Sequence, residues 1–410
     1  MRTRATGALA ALLVAVLAGC AGSPRKPDAF YDPPPLDGPA TAAAGANGEV
    51  LRVEPVSDGP DGARSFRLLY RTSGLRGEAV AASAMLVVPD GPAPRGGRPV
   101  VAWAHPTTGV ARDCAPSLMP RWRKGIAGLD AMLRAGFAVV ATDYPGLGTP
   151  GVHPYLDGAA AAQAIVDSVR AARNVKEAGA GSRFVVWGHS QGGHAALFTG
   201  QLAGALAPEL TLAGVAAAGP ATDLPRLLLM NLDDRLGKVL ASEALWSWQR
   251  AFGAPMAEVL VPDAVPVVER VAQDCIRDAA EGAVAFSDIV PLREGFLTAD
   301  LTRTEPWGRI MRENSPGATP IPAPVFVAQG TSDQVTRAPV TAAHVRKLCA
   351  QGTPVRFLVV EGEAHIRIAF ATADEAVEWM RDRFAGKPPP DDCAALWNHR
   401  APAALLPEDR

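Results

Sequence analysis

Arg183-Phe-Val-Val-Trp-Gly188-His189-Ser190-Gln191-Gly192-Gly193-His194-Ala-Ala-Leu-Phe198 is an apolar run, a G-H-S-Q-G pentapeptide and the start of a small-residue segment. It reads as a strand over 183–187, a tight turn with Ser190 at its apex, and a helix over 191–206. A serine used as a nucleophile must present its hydroxyl where the backbone bends so sharply that a side chain two positions to either side would clash. Gly188 and Gly192 remove those clashes. The N–H of Gln191 then opens a helix, where it points toward developing negative charge and serves as one oxyanion donor. The pentapeptide is weak evidence by itself in a chain with 40 glycines; the strand before it and the helix after it make it specific.

The flanking chain repeats the same rhythm. Residues 99–104 and 137–142 are continuous apolar runs suited to buried parallel strands, with a helix at 128–135 between them and a long helix over 157–178. Another strand follows at 211–218. This alternation predicts a mostly parallel sheet covered by helices on both faces. Earlier, 49–56, 65–72 and 79–88 are β-branched stretches separated by Gly, Asp and Pro, which predicts antiparallel strands at the start of a mixed sheet. The rhythm stops over 220–320, where helical segments such as 224–231 and 236–252 occur without a convincing buried strand. It resumes with a strand at 324–328, a helix around 338–349, a strand at 355–360 and a last helix near 371–384. The reading is an α/β core at 49–219 and 321–395, a helical cap or lid at 220–320 over the carboxyl ends of the strands, where open α/β sheets bind ligands, and a tail at 396–410. Leu227, Leu228, Leu229, Met230, Leu232, Trp246, Trp248 and Phe252 make the cap locally apolar, as a small core of its own or as the wall of an acyl-chain pocket.

Composition frames these elements. In 410 residues, 48% hydrophobic and 20% charged side chains exclude wholesale disorder, and a formal charge of −2 offers no electrostatic case for nucleic acid. The first residues stand apart: Arg2 and Arg4, an apolar stretch over 8–17, then Leu17-Ala18-Gly19-Cys20. This is too short for a spanning helix and resembles a bacterial lipoprotein signal, which implies loss of 1–19 and acylation of Cys20. A plain secretory signal is the alternative. Loss of Arg2 and Arg4 takes 40 basic residues to 38 against 42 acidic, a charge of −4, so acyl chains rather than a basic patch would hold the protein at a membrane. Residues 20–48, rich in Ala, Gly, Pro and Asp, read as a flexible tether. Cys114, Cys275, Cys349 and Cys393 remain; an even count in an exported chain predicts two disulfides among three possible connectivities, and no C-x-x-C occurs.

Ser190 needs a base held by a carboxylate, and in this class of fold they follow in the order serine, acid, histidine. Asp333 lies in Gln329-Gly-Thr-Ser-Asp333, a loop at the carboxyl end of one strand. His365 lies in Glu361-Gly-Glu-Ala-His365, after the next strand. Of the other histidines, His189 points away from Ser190, His194 packs on its helix, His105 supports a loop, His153 lines the entrance, His344 is helical and His399 lies in the tail. Asp143 precedes Ser190 and orders a turn, Asp223 is an N-cap, and Asp288 falls in the cap. A second oxyanion donor belongs in the loop after an earlier core strand, and the N–H of Thr107 in Trp103-Ala-His-Pro-Thr-Thr-Gly109 fits, with Thr108 next.

The set Trp103-Ala-His-Pro-Thr-Thr-Gly109, Cys114-Ala-Pro-Ser117, Asp143-Tyr-Pro-Gly-Leu-Gly148, His153-Pro-Tyr155 and Gly188-His-Ser-Gln-Gly-Gly193 resembles the secretory lipase family of the fungal Candida lipase A type, over roughly residues 50–395. The resemblance implies an α/β-hydrolase fold with a helical cap, hydrolysis of acyl esters, and the pairings Cys114–Cys275 and Cys349–Cys393. His105-Pro106 departs from the His-Gly more usual in such hydrolases; Pro106 has no N–H, so the loop works only through Thr107 or Thr108. The chemistry expected is acyl transfer to Ser190 with no metal or organic cofactor, on an acyl-ester or lipid substrate, by an exported, lipid-anchored protein. Peptidases and acyltransferases share this constellation, but no charged specificity pocket is recognisable. A surface-tethered binding lipoprotein is the alternative of another class, and the ordered Ser190, Asp333 and His365 speak against it.

Overall fold

The computed structural model describes residues 26–36, 46–292 and 295–397. The expected signal segment, Cys20, His399 and most of the tail lie outside the described residues. Nine strands form one sheet: β1 (Val50–Val56), β2 (Ala63–Ser73), β3 (Ala79–Pro89), β4 (Arg98–Ala104), β5 (Ala138–Thr142), β6 (Ala180–His189), β7 (Thr211–Ala218), β8 (Val325–Gly330) and β9 (Val355–Val360), in the order β1-β2-β3-β5-β4-β6-β7-β8-β9. Pairings β1/β2, β2/β3 and β3/β5 are antiparallel, and every pairing from β5 to β9 is parallel. The central strands are apolar on both faces because both faces are covered.

The helices are α1 (Leu129–Arg134), α2 (Gly158–Asn174), α3 (Gln191–Leu206), α4 (Leu224–Asn231), α5 (Arg235–Phe252), α6 (Met256–Val259), α7 (Val265–Val271), α8 (Ala279–Asp288), α9 (Trp307–Glu313), α10 (Ala338–Ala350), α11 (Ile368–Ala371), α12 (Ala373–Phe384) and α13 (Cys393–Trp397). Period-two alternation sends Val100, Phe184, Val186, Val325 and Val327 to the face under α2, α3 and α10. Val101, Trp103, Val185, Trp187 and Phe326 face α1 and α12. The helix expected over 157–178 ends at Asn174, where Val175 turns extended, and Lys176–Ala178 is a single 3₁₀ turn.

Between β7 and β8, α4 to α9 gather around Trp248, Val268, Ile289, Trp307 and Met311, an apolar cluster separate from the two sheet cores. Strand pairing there is limited, among the described residues, to a bridge between Leu260 and Leu297. Two disulfides clip the assembly: Cys114–Cys275 ties the loop after β4 to the segment after α7, and Cys349–Cys393 ties α10 to α13. No helix among the described residues is long and apolar enough to cross a membrane.

The tether expected at 20–48 needs correction where it is described. Phe30 and Tyr31 are buried against Leu69, Ala81, Leu118 and Leu147, and the Tyr31 hydroxyl lies 2.9 Å from Ser117 Oγ. The Arg67 guanidinium sits 4.2 Å over the Phe30 ring and pairs with Asp28. Two aromatics supply enough apolar area to dock a segment whose Pro and Gly content otherwise reads as linker.

Candidate active site

Strand β6 delivers Ser190 to the carboxyl edge of the sheet, and α3 starts immediately after it. Ser190 adopts φ 55° and ψ −116°, a strained region for a residue with a side chain. The turn survives because its surroundings fix it: the Ser190 N–H donates to Ala218 O at 3.0 Å, and its carbonyl accepts from the His194 N–H at 3.0 Å. The glycines are there for space. A Cβ on Gly188 would fall 2.1 Å from Gly192 O, and one on Gly192 would fall 1.9 Å from Ala104 O.

The loops after β8 and β9 bring the other two side chains to the same point. His365 Nδ1 lies 2.8 Å from Asp333 Oδ2, and His365 Nε2 lies 2.9 Å from Ser190 Oγ. A carboxylate only accepts, so Nδ1 carries the proton and Nε2 offers its lone pair to the serine hydroxyl. Asp333 is buried and fully satisfied. Its Oδ1 accepts from the N–H groups of Val335 and Thr336 at 2.8 Å each; its Oδ2 also accepts from Thr336 Oγ1 at 2.8 Å and Gln329 Nε2 at 3.1 Å. Burial pushes the Asp333 carboxyl up, but the hydrogen bonds and charge of His365 and the donors of Thr336 outweigh it and hold the group down at about 2.

His189 points away from Ser190, as expected, yet it is not idle. Its Nε2–H donates to the carbonyl of His365 at 2.8 Å, and burial pushes its imidazole down to about 3, so it acts as a neutral strut for the loop. His153 is a correction: it is buried rather than set at an entrance. Its Nδ1–H donates to Pro145 O at 3.1 Å, leaving Nε2 to accept from the Gln191 side-chain amide at 3.0 Å. Burial pushes His153 down to about 3, so the imidazole stays neutral and anchors Gln191, the residue after Ser190. His194 is packed, donating Nε2–H to Asn314 O at 2.8 Å, and His344 is buried on α10. His105 lies between the carbonyls of Pro106 and Asp143, supporting its loop.

The expected lesser acids fall into structural places. Asp143 is buried, accepting from Ser83 Oγ at 2.6 Å and from the N–H and Oγ of Ser117 at 2.9 and 2.5 Å; burial pushes it up to about 6 despite these donors. Asp223 caps α4 through the Arg226 N–H at 3.1 Å, and Asp288 pairs with Arg270 at 3.6 Å.

Ser190, Gln191 and Thr107 open onto one cavity of about 100 Å³, walled mostly by the segment between β7 and β8, including Leu227, Leu240, Ala241, Leu245, Trp248, Leu301 and Met311, and completed by Tyr155, Leu156, Val335 and Thr336. Thr107 Oγ1 and Tyr155 OH share a hydrogen bond of 2.8 Å at its edge. Of the leucines singled out by sequence, Leu227 and Leu228 line this space while Leu229 is exposed. Among the described residues no three His, Cys, Asp or Glu side chains converge as metal ligands do.

Sequence reasoning missed Thr336, Gln329 and Gly219. The first had a readable signal, because Asp-x-x-Thr after a strand is a side-chain-capped turn. Gly219 lies where a Cβ would meet Asp333 Oδ2 at 3.1 Å and His365 Nδ1 at 3.2 Å.

The sequence model of secretory lipases matches residues 126–392. The chain belongs to the secretory lipase family. Among members and relatives, a lipase A of Moesziomyces aphidis is 32% identical over 52% of this chain, a match that spans 49% of that protein. A secreted triacylglycerol lipase of Malassezia furfur is 26% identical over 88% of this chain and 79% of its own length. A probable inactive lipase of Mycobacterium tuberculosis (strain CDC 1551 / Oshkosh) is 25% identical over 88% of this chain and 82% of its own. The crystal structure of Candida antarctica lipase A in its closed state superposes with a TM-score of 0.73 at 20% identity, covering 90% of this chain and 93% of that one. The secretory lipase fold, an α/β-hydrolase, is therefore the fold of this chain.

Proposed function

We propose that this protein is a serine carboxylic-ester hydrolase of lipase or esterase type, exported and anchored through acylated Cys20. The observation that carries the reading is the chain Ser190 Oγ, His365, Asp333 at 2.9 and 2.8 Å, opening on an apolar cavity. In the mechanism, His365 Nε2 takes the Ser190 proton as Oγ attacks the ester carbonyl, while Asp333 orients the ring and stabilises the imidazolium. The N–H groups of Gln191 and Thr107 receive the oxyanion, and each such donor is worth about 2.7–4 kcal/mol. His365 then protonates the leaving alcohol. In the second half it activates water, which releases the acid from Ser190. The cavity takes the acyl chain, since its walls are predominantly apolar.

The likeness to a relative described as probably inactive supports one rival, a non-catalytic member of the family. Labelling with a fluorophosphonate separates the two. Wild type should label and hydrolyse soluble esters, and Ser190→Ala should do neither while unfolding at the same temperature. A wild-type protein that neither labels nor hydrolyses any ester overturns the proposal.

A further inference from the structure

Strand β8 reads Val-Phe-Val-Ala-Gln-Gly, and its glutamine is fully buried. A buried amide is costly unless every polar atom is paired. Here each is paired, and in one orientation only. Gln329 Oε1 accepts from Thr341 Oγ1 of α10 at 2.7 Å; Nε2 donates to Gly330 O at 3.2 Å and to Asp333 Oδ2 at 3.1 Å. A flipped amide would set its oxygen against a carbonyl and a carboxylate; the Thr341 hydroxyl, which also reaches Thr336 O at 3.2 Å, accepts either end, so Gly330 O and Asp333 Oδ2 fix the orientation. The amide dipole is thus locked with its positive end on the acid that faces His365.

We propose that Gln329, locked by Thr341, is a positioning residue that sets how strongly Asp333 pulls on His365. The inference rests on the hydrolase reading above. Asp333 Oδ2 accepts three donors, Gln329, Thr336 and His365, and its negative charge is shared among them. Withdrawing Gln329 concentrates that charge on the His365 bond and loosens the carboxylate's rotation. The first effect makes His365 more basic; the second spoils its aim at Ser190. The other titratable or charged groups about His365 are His189 from the end of β6 and the Glu363–Arg367 pair of its own loop, and the hydrogen bonds of the Gln329 amide go instead to Gly330, Asp333 and Thr341.

The test is the pH profile of kcat/KM on a soluble ester, normalised by fluorophosphonate titration of intact sites. A hydrogen bond to a charged carboxylate moves that carboxylate by about 1–2 pH units, of which a fraction reaches His365. Gln329→Leu should therefore move the acidic limb upward by about half a unit. It should lower the plateau by about tenfold, small beside the ~10⁴-fold loss on neutralising a triad carboxylate. Thr341→Val keeps the amide but frees it, and should move the limb the same way by less; Thr341→Ser should restore it. If Gln329→Leu does not fold, the Thr341 pair carries the test alone. Variants that lose thermal stability while their acidic limbs superpose on wild type overturn the inference and leave the hydrolase reading intact. A wild type with no activity and no labelling overturns the hydrolase reading instead.

Discussion

Glu243 sits on α5 with its side chain wholly buried and both carboxyl oxygens without a hydrogen-bond partner. Burial, reinforced by the charge of Asp274, pushes it well above its ordinary 4.5. The folded protein therefore keeps a proton that the unfolded chain gives up near 4.5. When the native state binds more protons than the unfolded state, stability falls as pH rises. The loss is about 1.4 kcal/mol per unit between the unfolded and folded values, and none below the unfolded one. Replacing Glu243 by Met removes the proton linkage and the unpaired polar group, the latter worth about 1–3 kcal/mol. Glu243→Gln removes the linkage alone. Urea unfolding followed by tryptophan fluorescence at pH 5, 6, 7 and 8 should find Glu243→Met more stable than wild type throughout, with the gap widening as pH rises. Glu243→Gln should start near wild type and diverge in parallel. Asp143, pushed up to about 6 by burial, contributes a slope of the same sign to all three proteins and cancels in the differences. Stability curves that stay parallel, or a gap that narrows with pH, would refute the reasoning. The consequence reaches the site because Leu240, Ala241, Ala244, Leu245 and Trp248 of the same helix wall the cavity beside Ser190.

Gly219 occupies φ 47° at the end of β7, where an added Cβ meets Asp333 and His365 at 3.1 and 3.2 Å. Gly219→Ala should cost about 1–2 kcal/mol of stability from the left-handed backbone. By nudging the acid–base pair apart it should also lower kcat at least about tenfold, since misplacement by about 1 Å can cost a hundredfold. A lower melting temperature with unchanged kcat per labelled site would contradict this. Ala241→Leu adds three carbons to the cavity wall and should shorten the preferred acyl chain. Each methylene excluded forfeits about 0.8 kcal/mol, roughly fourfold in kcat/KM, so a chain-length series should steepen against long esters; uniform scaling across the series would sink the idea.

What could be read in advance followed from how locally each feature is encoded. The strand before Ser190 and the helix after it are continuous apolar and small-residue runs, and the turn between them is forced by Gly188 and Gly192. Asp333 and His365 could be picked out because each lies in the loop after a strand, in the order serine, acid, histidine, and the fold brings both to Ser190. Phe30 and Tyr31 were not, because their burial depends on a groove formed by Leu69, Leu118 and Leu147, three separate stretches of chain. Gln329 lies between these cases. Alternation along β8 puts Val325, Val327 and hence Gln329 on one face, and Phe326 with Ala328 on the other. A right-handed crossover from β8 to its parallel neighbour β9 assigns α10 to cover one of those faces, and the buried Ala338, Ala342 and Val345 pack on the Val325 side. A glutamine on that face must find a partner in the first turns of α10, and Thr341 is a side-chain hydroxyl among them. Pattern and handedness thus lead to the pair. Only the folded chain brings the amide's other end within 3.1 Å of Asp333, which turns a satisfied core residue into a neighbour of the acid.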